Sequence, residues 1–230
     1  MKHHRSAIQL PRLYAILDRV FFPTGEDLIR VARELVDGGC TLLQYRDKSG
    51  DAGVMLEQAR QLRRVFLQGS KVHFWQYPPE VGQPSSNGAV RLIMNDRADL
   101  CLAAEFDGVH VGQDDLSPES VRAIIGPDRW LGFSTHNPVQ LREADLTSAD
   151  YLAIGPVFAT SSKEKPDPVV GLEGVRRARS LTRKPLVAIG GITRANAVSV
   201  IEAGADSVAV ISDLLREPRK SAEEFFRILG

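Results

Sequence analysis

The sequence has few cysteines and no excess of charge of either sign. Its two cysteines, Cys40 and Cys101, stand apart in apolar contexts, without the spacing of a metal site. We therefore expect no disulfide framework and a reduced, cytoplasmic protein. The 29 basic residues balance the 29 acidic ones. The overall charge thus gives no reason to expect a nucleic acid or a membrane as partner, although a local basic patch stays open.

Long apolar runs and dinucleotide motifs are also absent. No stretch reaches the ~18 consecutive apolar residues that suggest a membrane-spanning helix. The start, MKHHRSAIQLPR, lacks the apolar core of a signal peptide, and we interpret its adjacent His3 and His4 as a solvated segment rather than a metal site. No G-x-G-x-x-G follows the first predicted strand, which argues against an open, doubly wound sheet that binds a dinucleotide.

What the sequence does contain is a strand–helix unit repeated eight times. Short apolar runs predict strands at 13–17, 41–44, 91–94, 107–111, 130–133, 151–154, 185–189 and 206–211. Apolar residues at helical spacing predict helices at 26–37, 51–67, 96–106, 118–125, 138–144, 172–181, 193–203 and 222–229. The count, in a chain of 230 residues, predicts a single (β/α)₈ TIM barrel, a fold of about 250 residues.

One segment interrupts this alternation of predicted strands and helices. Residues 68–89 hold three prolines, three serines and three glycines among several aromatic residues. We interpret them as a surface loop inserted within one repeat, because no linker-like segment divides the chain. The sequence thus predicts one domain over residues 1–230.

The stretch RLIMNDRADLCLAAEFDGVHVGQDD, residues 91–115, suggests a metal site. Asp96 follows one predicted strand, and Asp114 and Asp115 follow the next. Parallel strands joined by a helix end at the same edge of a sheet, so these carboxylates meet there. Paired carboxylates favour a hard cation such as Mg²⁺. From this stretch alone, an equal alternative is that Asp96 caps a helix and Asp115 opens a turn.

The other strand ends add anion-binding groups to the same rim. Gly190 and Gly191 precede a helix after the seventh strand, where many barrels bind phosphate. The cations are Arg46, Lys48 and Lys163, and the hydroxyl groups of the loop after the sixth strand are Thr160, Ser161 and Ser162. Two like charges ~4 Å apart repel by about 4 kcal/mol at an effective dielectric near 20. Carboxylates beside a phosphate therefore make sense if a divalent cation lies between them.

Two histidines give weaker signals. His136 stands after the fifth strand, where a general base and a packing or capping residue are equally reasonable. His110 alternates with Val109 and Val111, and we expect it to face the helices or the core rather than a ligand.

The motifs GGCTLLQYRDK, LIMNDRADLCLAAEFDGVHVGQDDL, LGFSTHNPVQ, DYLAIGPVFATSSK, PLVAIGGI and GADSVAVIS resemble, in order and spacing, the thiamine-phosphate synthase family. The resemblance runs from Leu13 to about Leu215. It implies a TIM-barrel transferase of thiamine biosynthesis that joins 4-amino-2-methyl-5-pyrimidinylmethyl diphosphate to thiazole phosphate and releases diphosphate. It also implies Mg²⁺ as cofactor and small molecules as partners, with a homo-oligomer left open.

The resemblance assigns residues to this reaction. Catalytic roles fall to Arg46, Lys163 and Ser134, and metal binding to Asp96 and Asp115. Substrate-binding roles fall to Gln44, Tyr45, Arg46, Asp47, Lys48, Asn95, Ser134, Thr160, Ser161, Ser162, Lys163, Gly191, Ile211 and Ser212. The implied mechanism is a dissociative substitution, in which diphosphate leaves before the thiazole nitrogen attacks. The rim shows no obvious Ser–His–Asp or Cys–His set, in agreement with this.

The sequence departs from the family pattern in three places. QYRDK stands where the family has QLREK, TSSK stands where it has TPTK, and the 68–89 segment is longer than expected. Two rival functions are kept open. One is a thiazole tautomerase of the same superfamily, which would need an acid or base such as His136. The other is a phosphate-binding barrel without catalysis.

Overall fold

The computed structural model describes residues 8–72, 89–160 and 167–230. Its eight strands are β1 Leu13–Asp18, β2 Leu42–Arg46, β3 Arg91–Asn95, β4 Gly108–Val111, β5 Trp130–Thr135, β6 Tyr151–Ile154, β7 Leu186–Ile189 and β8 Ser207–Val210. All neighbours pair in parallel and in chain order, and β8 closes on β1. The predicted (β/α)₈ barrel is confirmed.

Eight α-helices alternate with these strands. They are α1 Gly25–Asp37, α2 Ala52–Val72, α3 Ala98–Ala103, α4 Pro118–Ile125, α5 Pro138–Asp145, α6 Gly171–Leu181, α7 Ala197–Glu202 and α8 Pro218–Leu229. Short 3₁₀ turns follow β1 at Arg19–Phe21 and β8 at Ser212–Leu214. Within the described part of the chain, every helix is too short or too polar to cross a bilayer.

Local sequence signals explain where several helices start. Thr24 caps α1, because its hydroxyl oxygen accepts a hydrogen bond from the backbone N–H of Asp27 at 3.1 Å. Ser117 and Asn137 cap α4 and α5 in the same way, each just before a proline at the first helical position. These capped starts lie close to the predicted boundaries.

Three predicted helix boundaries differ most from the structure. α2 continues to Val72, so residues 68–72 belong to this helix and not to the predicted inserted loop; residues 73–88 of that loop lie outside the described residues. α7 begins only at Ala197, because the Asn196 side chain accepts a hydrogen bond from the Thr193 N–H at 2.8 Å and forms a turn. α8 begins at Pro218, four residues before the prediction.

The strands separate two apolar layers. Alternate side chains point into the barrel, where Tyr14, Ile16, Ile93, Tyr151 and Val187 belong to one buried cluster. The intervening side chains point outward and pack beneath the helices in a second, larger cluster. This alternation decides which strand residues can reach a ligand at the end of the barrel.

Three aspartates at the amino-terminal end of the barrel make the same contacts. Asp107, Asp150 and Asp206 stand just before β4, β6 and β8. The carboxylate of each accepts a hydrogen bond from a backbone N–H of the preceding strand, at 2.8 Å in all three cases. Each also pairs with an arginine of the helix that leads into that preceding strand, in α2, α4 and α6, at 3.1, 2.7 and 2.8 Å respectively. We call these three arrangements the amino-end clamps.

Candidate active site

A cavity of about 460 Å³ opens at the carboxyl ends of the strands. Residues from β1 and from the ends of the other seven strands line it. Two grooves of about 740 and 790 Å³ lie elsewhere, one between α1 and α2 and one beside α6 and the start of β7. The first-named cavity collects the polar residues at the strand ends, so we take it as the candidate active site.

Most of the predicted site residues line this cavity. They are Gln44, Arg46, Lys48, Asn95, Asp96, Asp115, Ser134, Thr160, Gly191, Ile211 and Ser212. Gly190, Asp114 and His136 join them. Ser161, Ser162 and Lys163 lie outside the described residues.

The two carboxylates proposed as metal ligands are neighbours. Burial of Asp115, followed by the effect of the nearby Asp96 carboxylate, raises the pKa of Asp115. Asp96 also forms an ion pair with Lys48. The described residues hold no group of three or more His, Cys, Asp or Glu side chains around one position. Two carboxylates fit Mg²⁺ nonetheless, because this ion commonly keeps waters and substrate phosphates as its other ligands.

The structure excludes the helix-capping role considered for Asp96 and supports the turn role considered for Asp115. Arg97, not Asp96, occupies the N-cap position of α3, and no side chain caps this helix; the capping hypothesis for Asp96 is therefore wrong. Asp96 instead adopts a left-handed backbone, φ 61°, and donates its N–H to the His110 carbonyl at 2.8 Å. Asp115 does close a turn, because its Oδ2 accepts from the Gly112 N–H at 2.7 Å. That bond fixes the carboxylate beside Asp96.

The β2 residues divide between the two faces of the strand. Gln44 and Arg46 point into the barrel, and Arg46 pairs with the buried carboxylate of Asp18. Tyr45 points toward the helices, where its hydroxyl donates to Gln58 Oε1 at 2.7 Å. Asp47 is buried and accepts from the Ser49 N–H at 2.7 Å. Tyr45 and Asp47 do not line the cavity, contrary to the predicted substrate contacts, because strand alternation turns them away.

Asn95 is a buried amide at the wall of the cavity. It is 8% exposed, and its Nδ2 has no hydrogen-bond partner within the described ranges. An unpaired buried donor costs about 1–3 kcal/mol, and a ligand acceptor in the cavity would remove that cost. The unpaired donor therefore leaves Asn95 available to bind a ligand in the cavity.

The opposite side of the cavity is built from backbone. Gly190 and Gly191 have φ values of 102° and 63°, which favour glycine. A Cβ on either would lie 2.5 Å from the neighbouring loop, at Pro156 or at the Ala159 carbonyl. Only glycine allows the chain to pass this close to the neighbouring loop. Without side chains, these two residues expose their backbone to the cavity, beside Ile211 and Ser212.

His136 lines the cavity, and its neighbour performs the capping. Nδ1 of His136 donates to the Gly155 carbonyl at 2.7 Å and lies 3.5 Å from the Asp167 carboxylate. Asn137 caps α5 through Oδ1, which accepts from the Val139 and Gln140 N–H groups at 3.0 Å. His136 therefore does not cap α5. It lines the cavity, and its Nδ1 is already hydrogen-bonded.

Three cavity residues were missed or misjudged from the sequence. Tyr14 was counted only as part of an apolar strand, and Asp167 only as part of a loop. His110 points into the barrel and lines the cavity floor, rather than facing helices or core away from the ligand. Burial lowers the pKa of His110 to about 4. Residues on the inward face of a strand recur at every second position. Counting back two positions from the β1 residue that pairs with Gln44 gives Tyr14, and counting back two positions from Gly112 gives His110. This count would have found both residues.

Known proteins resemble the chain along almost its full length. The family model described as thiamine monophosphate synthase matches residues 80–214. The thiamine-phosphate synthase of Koribacter versatilis is 56% identical over 227 residues, which cover 97% of this chain and 98% of the relative. That of Shouchella clausii is 37% identical, with 89% and 88% covered.

A solved structure agrees with these relatives. The thiamine phosphate pyrophosphorylase of Pyrococcus furiosus has a TM-score of 0.77 and 32% identity, and the match covers 95% of both chains. Hexulose-6-phosphate synthase, at 13% identity and a TM-score of 0.67, shares the fold alone. By the family match and the identity to its relatives, the chain belongs to the thiamine monophosphate synthase family.

Proposed function

We propose that this protein is a thiamine-phosphate synthase, a transferase that couples 4-amino-2-methyl-5-pyrimidinylmethyl diphosphate to thiazole phosphate and releases diphosphate. The observation that carries the proposal is the division of one cavity into a side of charged side chains and a side of backbone. Carboxylates and cations from β2–β4 form one side, and glycine-rich backbone after β7 and β8 forms the other. The membership of the chain in the family supports it.

The diphosphate belongs on the charged side. Arg46 suits bidentate binding of phosphate oxygens, Lys48 adds a mobile positive charge, and the unpaired Nδ2 of Asn95 can donate to the same ligand. Asp96 and Asp115 would hold Mg²⁺, which when bound supplies positive charge beside the leaving diphosphate. Without such an ion, their charges would repel the substrate.

The thiazole phosphate belongs on the backbone side. Gly191, Ile211 and Ser212 present N–H groups and a hydroxyl, and Thr160 adds a second hydroxyl at the same wall. We assign Ser161, Ser162 and Lys163 to this loop from the sequence alone. Binding both substrates in one cavity places the reacting atoms together without a protein nucleophile.

The chemistry that follows is a dissociative substitution. The bond between the methylene carbon and the diphosphate oxygen breaks, and the electron pair leaves with diphosphate. The thiazole nitrogen then attacks the pyrimidinyl-methyl cation to form the new C–N bond. Arg46 and Lys163 stabilise the charge on the departing group, which is electrostatic catalysis. Ser134 contacts the pyrimidine diphosphate from β5.

A thiazole tautomerase is the second candidate, because His136 lines the cavity close to the Asp167 carboxylate. One assay separates the two functions. The protein is given both substrates with Mg²⁺, and thiamine phosphate and the thiazole isomers are followed together. We expect thiamine phosphate, and we expect EDTA to abolish it. Isomerised thiazole without coupled product would favour the tautomerase, and product formation insensitive to EDTA would rule out the metal.

Two variants test the assigned residues. Lys163→Ala and Asp96→Asn should each reduce turnover strongly while the circular dichroism spectrum stays that of the folded barrel. Near-normal turnover in either variant would remove that residue from the site. We also propose that residues 1–230 form one domain, since the described elements build one closed barrel.

A further inference from the structure

A continuous chain of hydrogen bonds crosses the floor of the cavity from β2 to β5. Gln44 Nε2 donates to the Tyr14 hydroxyl at 2.7 Å, and the Tyr14 and Tyr151 hydroxyls lie 3.1 Å apart. Tyr151 is 3.1 Å from His110 Nδ1, and His110 Nε2 is 2.8 Å from Ser134 Oγ. The two end residues, Gln44 and Ser134, both line the cavity.

The three middle residues are buried groups that keep a fixed number of protons. Tyr14 and Tyr151 are almost without solvent exposure, and burial raises the pKa of each phenol well above its usual value. Each phenol therefore keeps its single proton and donates one hydrogen bond. His110 is buried, and both of its ring nitrogens face hydroxyl groups, those of Tyr151 and Ser134, rather than carboxylates, so the ring is the neutral imidazole with one proton.

The backbone makes room for this chain at one position. A Cβ on Gly132 of β5 would lie 2.2 Å from Tyr151 Cζ and 2.3 Å from His110 Nδ1. No side chain fits there, so glycine is what allows the histidine and the tyrosine to meet inside the barrel. The contact is thus built into the strand rather than arising from loose surface side chains.

Once the orientation of the Gln44 amide is set, the proton count fixes the direction of every other bond in the chain. Because Gln44 donates to Tyr14, the Tyr14 proton goes to Tyr151, and the Tyr151 proton goes to His110 Nδ1. The neutral imidazole then carries its proton on Nε2 and donates it to Ser134 Oγ. The hydroxyl proton of Ser134 is left for a partner in the cavity.

We propose that Tyr14, Tyr151 and His110 are positioning residues that hold the Ser134 hydroxyl as a hydrogen-bond donor to the ligand and couple it to the orientation of the Gln44 amide. In this arrangement Gln44 turns its carbonyl oxygen toward the ligand. The cavity therefore selects a flat polar ring that offers a donor toward β2 and an acceptor toward β5. This deepens the proposed function, on which it rests for the identity of the ring.

The reverse direction is the one alternative that the chain permits. If the Gln44 amide were rotated, its oxygen would accept from Tyr14, and every proton along the chain would shift. Ser134 would then donate to His110 Nε2, and Nδ1 would carry the imidazole proton. The tautomer of His110 thus reports which arrangement is present.

Nitrogen-15 NMR of the protein labelled at histidine measures that tautomer directly. The His110 signal is identified by its loss in the His110→Gln variant. We expect Nε2 to be protonated and Nδ1 to be unprotonated at pH 7 in the free protein, and Tyr151→Phe to weaken this preference. A protonated Nδ1, or a tautomer unaffected by Tyr151→Phe, would overturn the proposal. Neither result depends on turnover, so the measurement stands even if the proposed reaction is wrong.

Kinetics test whether the middle residues act through Ser134. Tyr151→Phe should lower kcat by about tenfold, with the KM for thiazole phosphate unchanged, because coupled neighbours typically show effects of this size. In a Ser134→Ala background, Tyr151→Phe should have no further effect on kcat. If the two effects multiply instead, Tyr151 does not act through Ser134 and the proposal fails.

A matched control addresses plain damage to packing. Thr135, beside Ser134, buries its hydroxyl on the other face of β5, where it donates to the Ala153 carbonyl at 2.8 Å. Thr135→Val removes a buried hydroxyl of the same strand without touching the hydrogen-bond chain. It should lower the melting temperature and leave both kcat and the His110 tautomer unchanged. An equal loss of kcat in Thr135→Val and Tyr151→Phe would mean that the effect is structural.

Discussion

The two ends of the barrel use aspartate in opposite ways. At the amino-terminal end, the Asp150 carboxylate accepts from the Leu131 N–H at 2.8 Å and pairs with Arg122 at 2.7 Å. At the carboxyl-terminal end, Asp115 lies beside a second carboxylate, Asp96, and its pKa is raised. In the first arrangement, groups of the protein itself neutralise the aspartate charge. The second keeps two carboxylates side by side, where we propose that a cation and the substrate bind.

This difference separates stability from function along one set of strands. The amino-end clamps tie alternate strands to the helices behind them, and they lie far from the cavity. The carboxyl rim keeps like charges together at a cost to the folded protein, and under the proposed function ligand binding would offset that cost. Substitutions at the two ends should therefore affect different measured quantities.

The largest effect should come from the carboxyl rim. Asp115→Asn keeps an oxygen that can accept from the Gly112 N–H but removes a charge from the proposed metal site. We expect kcat/KM to fall about a hundredfold or more, since even outer partners of a metal commonly cost 10- to 100-fold. Steady-state kinetics at saturating Mg²⁺ measures this. A loss below about threefold would place the ion elsewhere.

The next largest effect should come from the amino end. Asp150→Ala leaves the Leu131 N–H and the Arg122 guanidinium without their acceptor, at a site where both side chains are largely buried. We expect a loss of about 2–4 kcal/mol in the free energy of unfolding. Urea denaturation provides the measurement. Activity of the folded protein should stay near that of the parent, and a large fall in kcat would break the separation of the two ends.

A smaller effect is expected at a more exposed clamp. The Asp206 side chain is 48% exposed, against 15% for Asp150. Solvent screens its pair with Arg179, so Asp206→Ala should cost about 1 kcal/mol or less in the same denaturation experiment. Equal losses at the two clamps would show that the backbone hydrogen bond, rather than the ion pair, dominates both.

The smallest effect should be a gain in stability at the carboxyl rim. The folded protein raises the pKa of Asp115, so the unfolded chain gives up this proton first as the pH rises. The charged carboxyl therefore costs stability above its unfolded pKa, near 3.9. In metal-free buffer, Asp115→Asn should melt slightly higher than the parent at pH 7, and the gain should vanish as the pH falls toward 4. A gain that is the same at all pH values would exclude the charge as its cause.

The sequence predicts the barrel well because strand and helix periodicities differ clearly and repeat eight times. It predicts less well which face of a strand a polar residue occupies. Asp47 and Tyr45 carry the right chemistry but lie on the outer face of β2. A shift of one residue moves a side chain from cavity to helix layer, and strand ends are the least certain part of a prediction.

The amino-end clamps were hidden for a related reason. The sequence places Asp107 and Asp206 inside predicted strands, whereas in the structure each stands one residue before its strand, β4 or β8. Their partners, Arg63 and Arg179, are distant in sequence or belong to another element. Only the closed barrel brings such residues together. The hydrogen-bond chain from Gln44 to Ser134 likewise joins five strands, and no local sequence pattern predicts it.

The extension of α2 to Val72 has a practical consequence for protein engineering. The joint between α2 and β3, from Val72 to Ala89, begins and ends at the amino-terminal side of the barrel. Its two anchor points therefore lie across the molecule from the cavity. An affinity tag or a reporter domain inserted directly after Val72 or directly before Ala89 would be attached on the side away from the reacting groups.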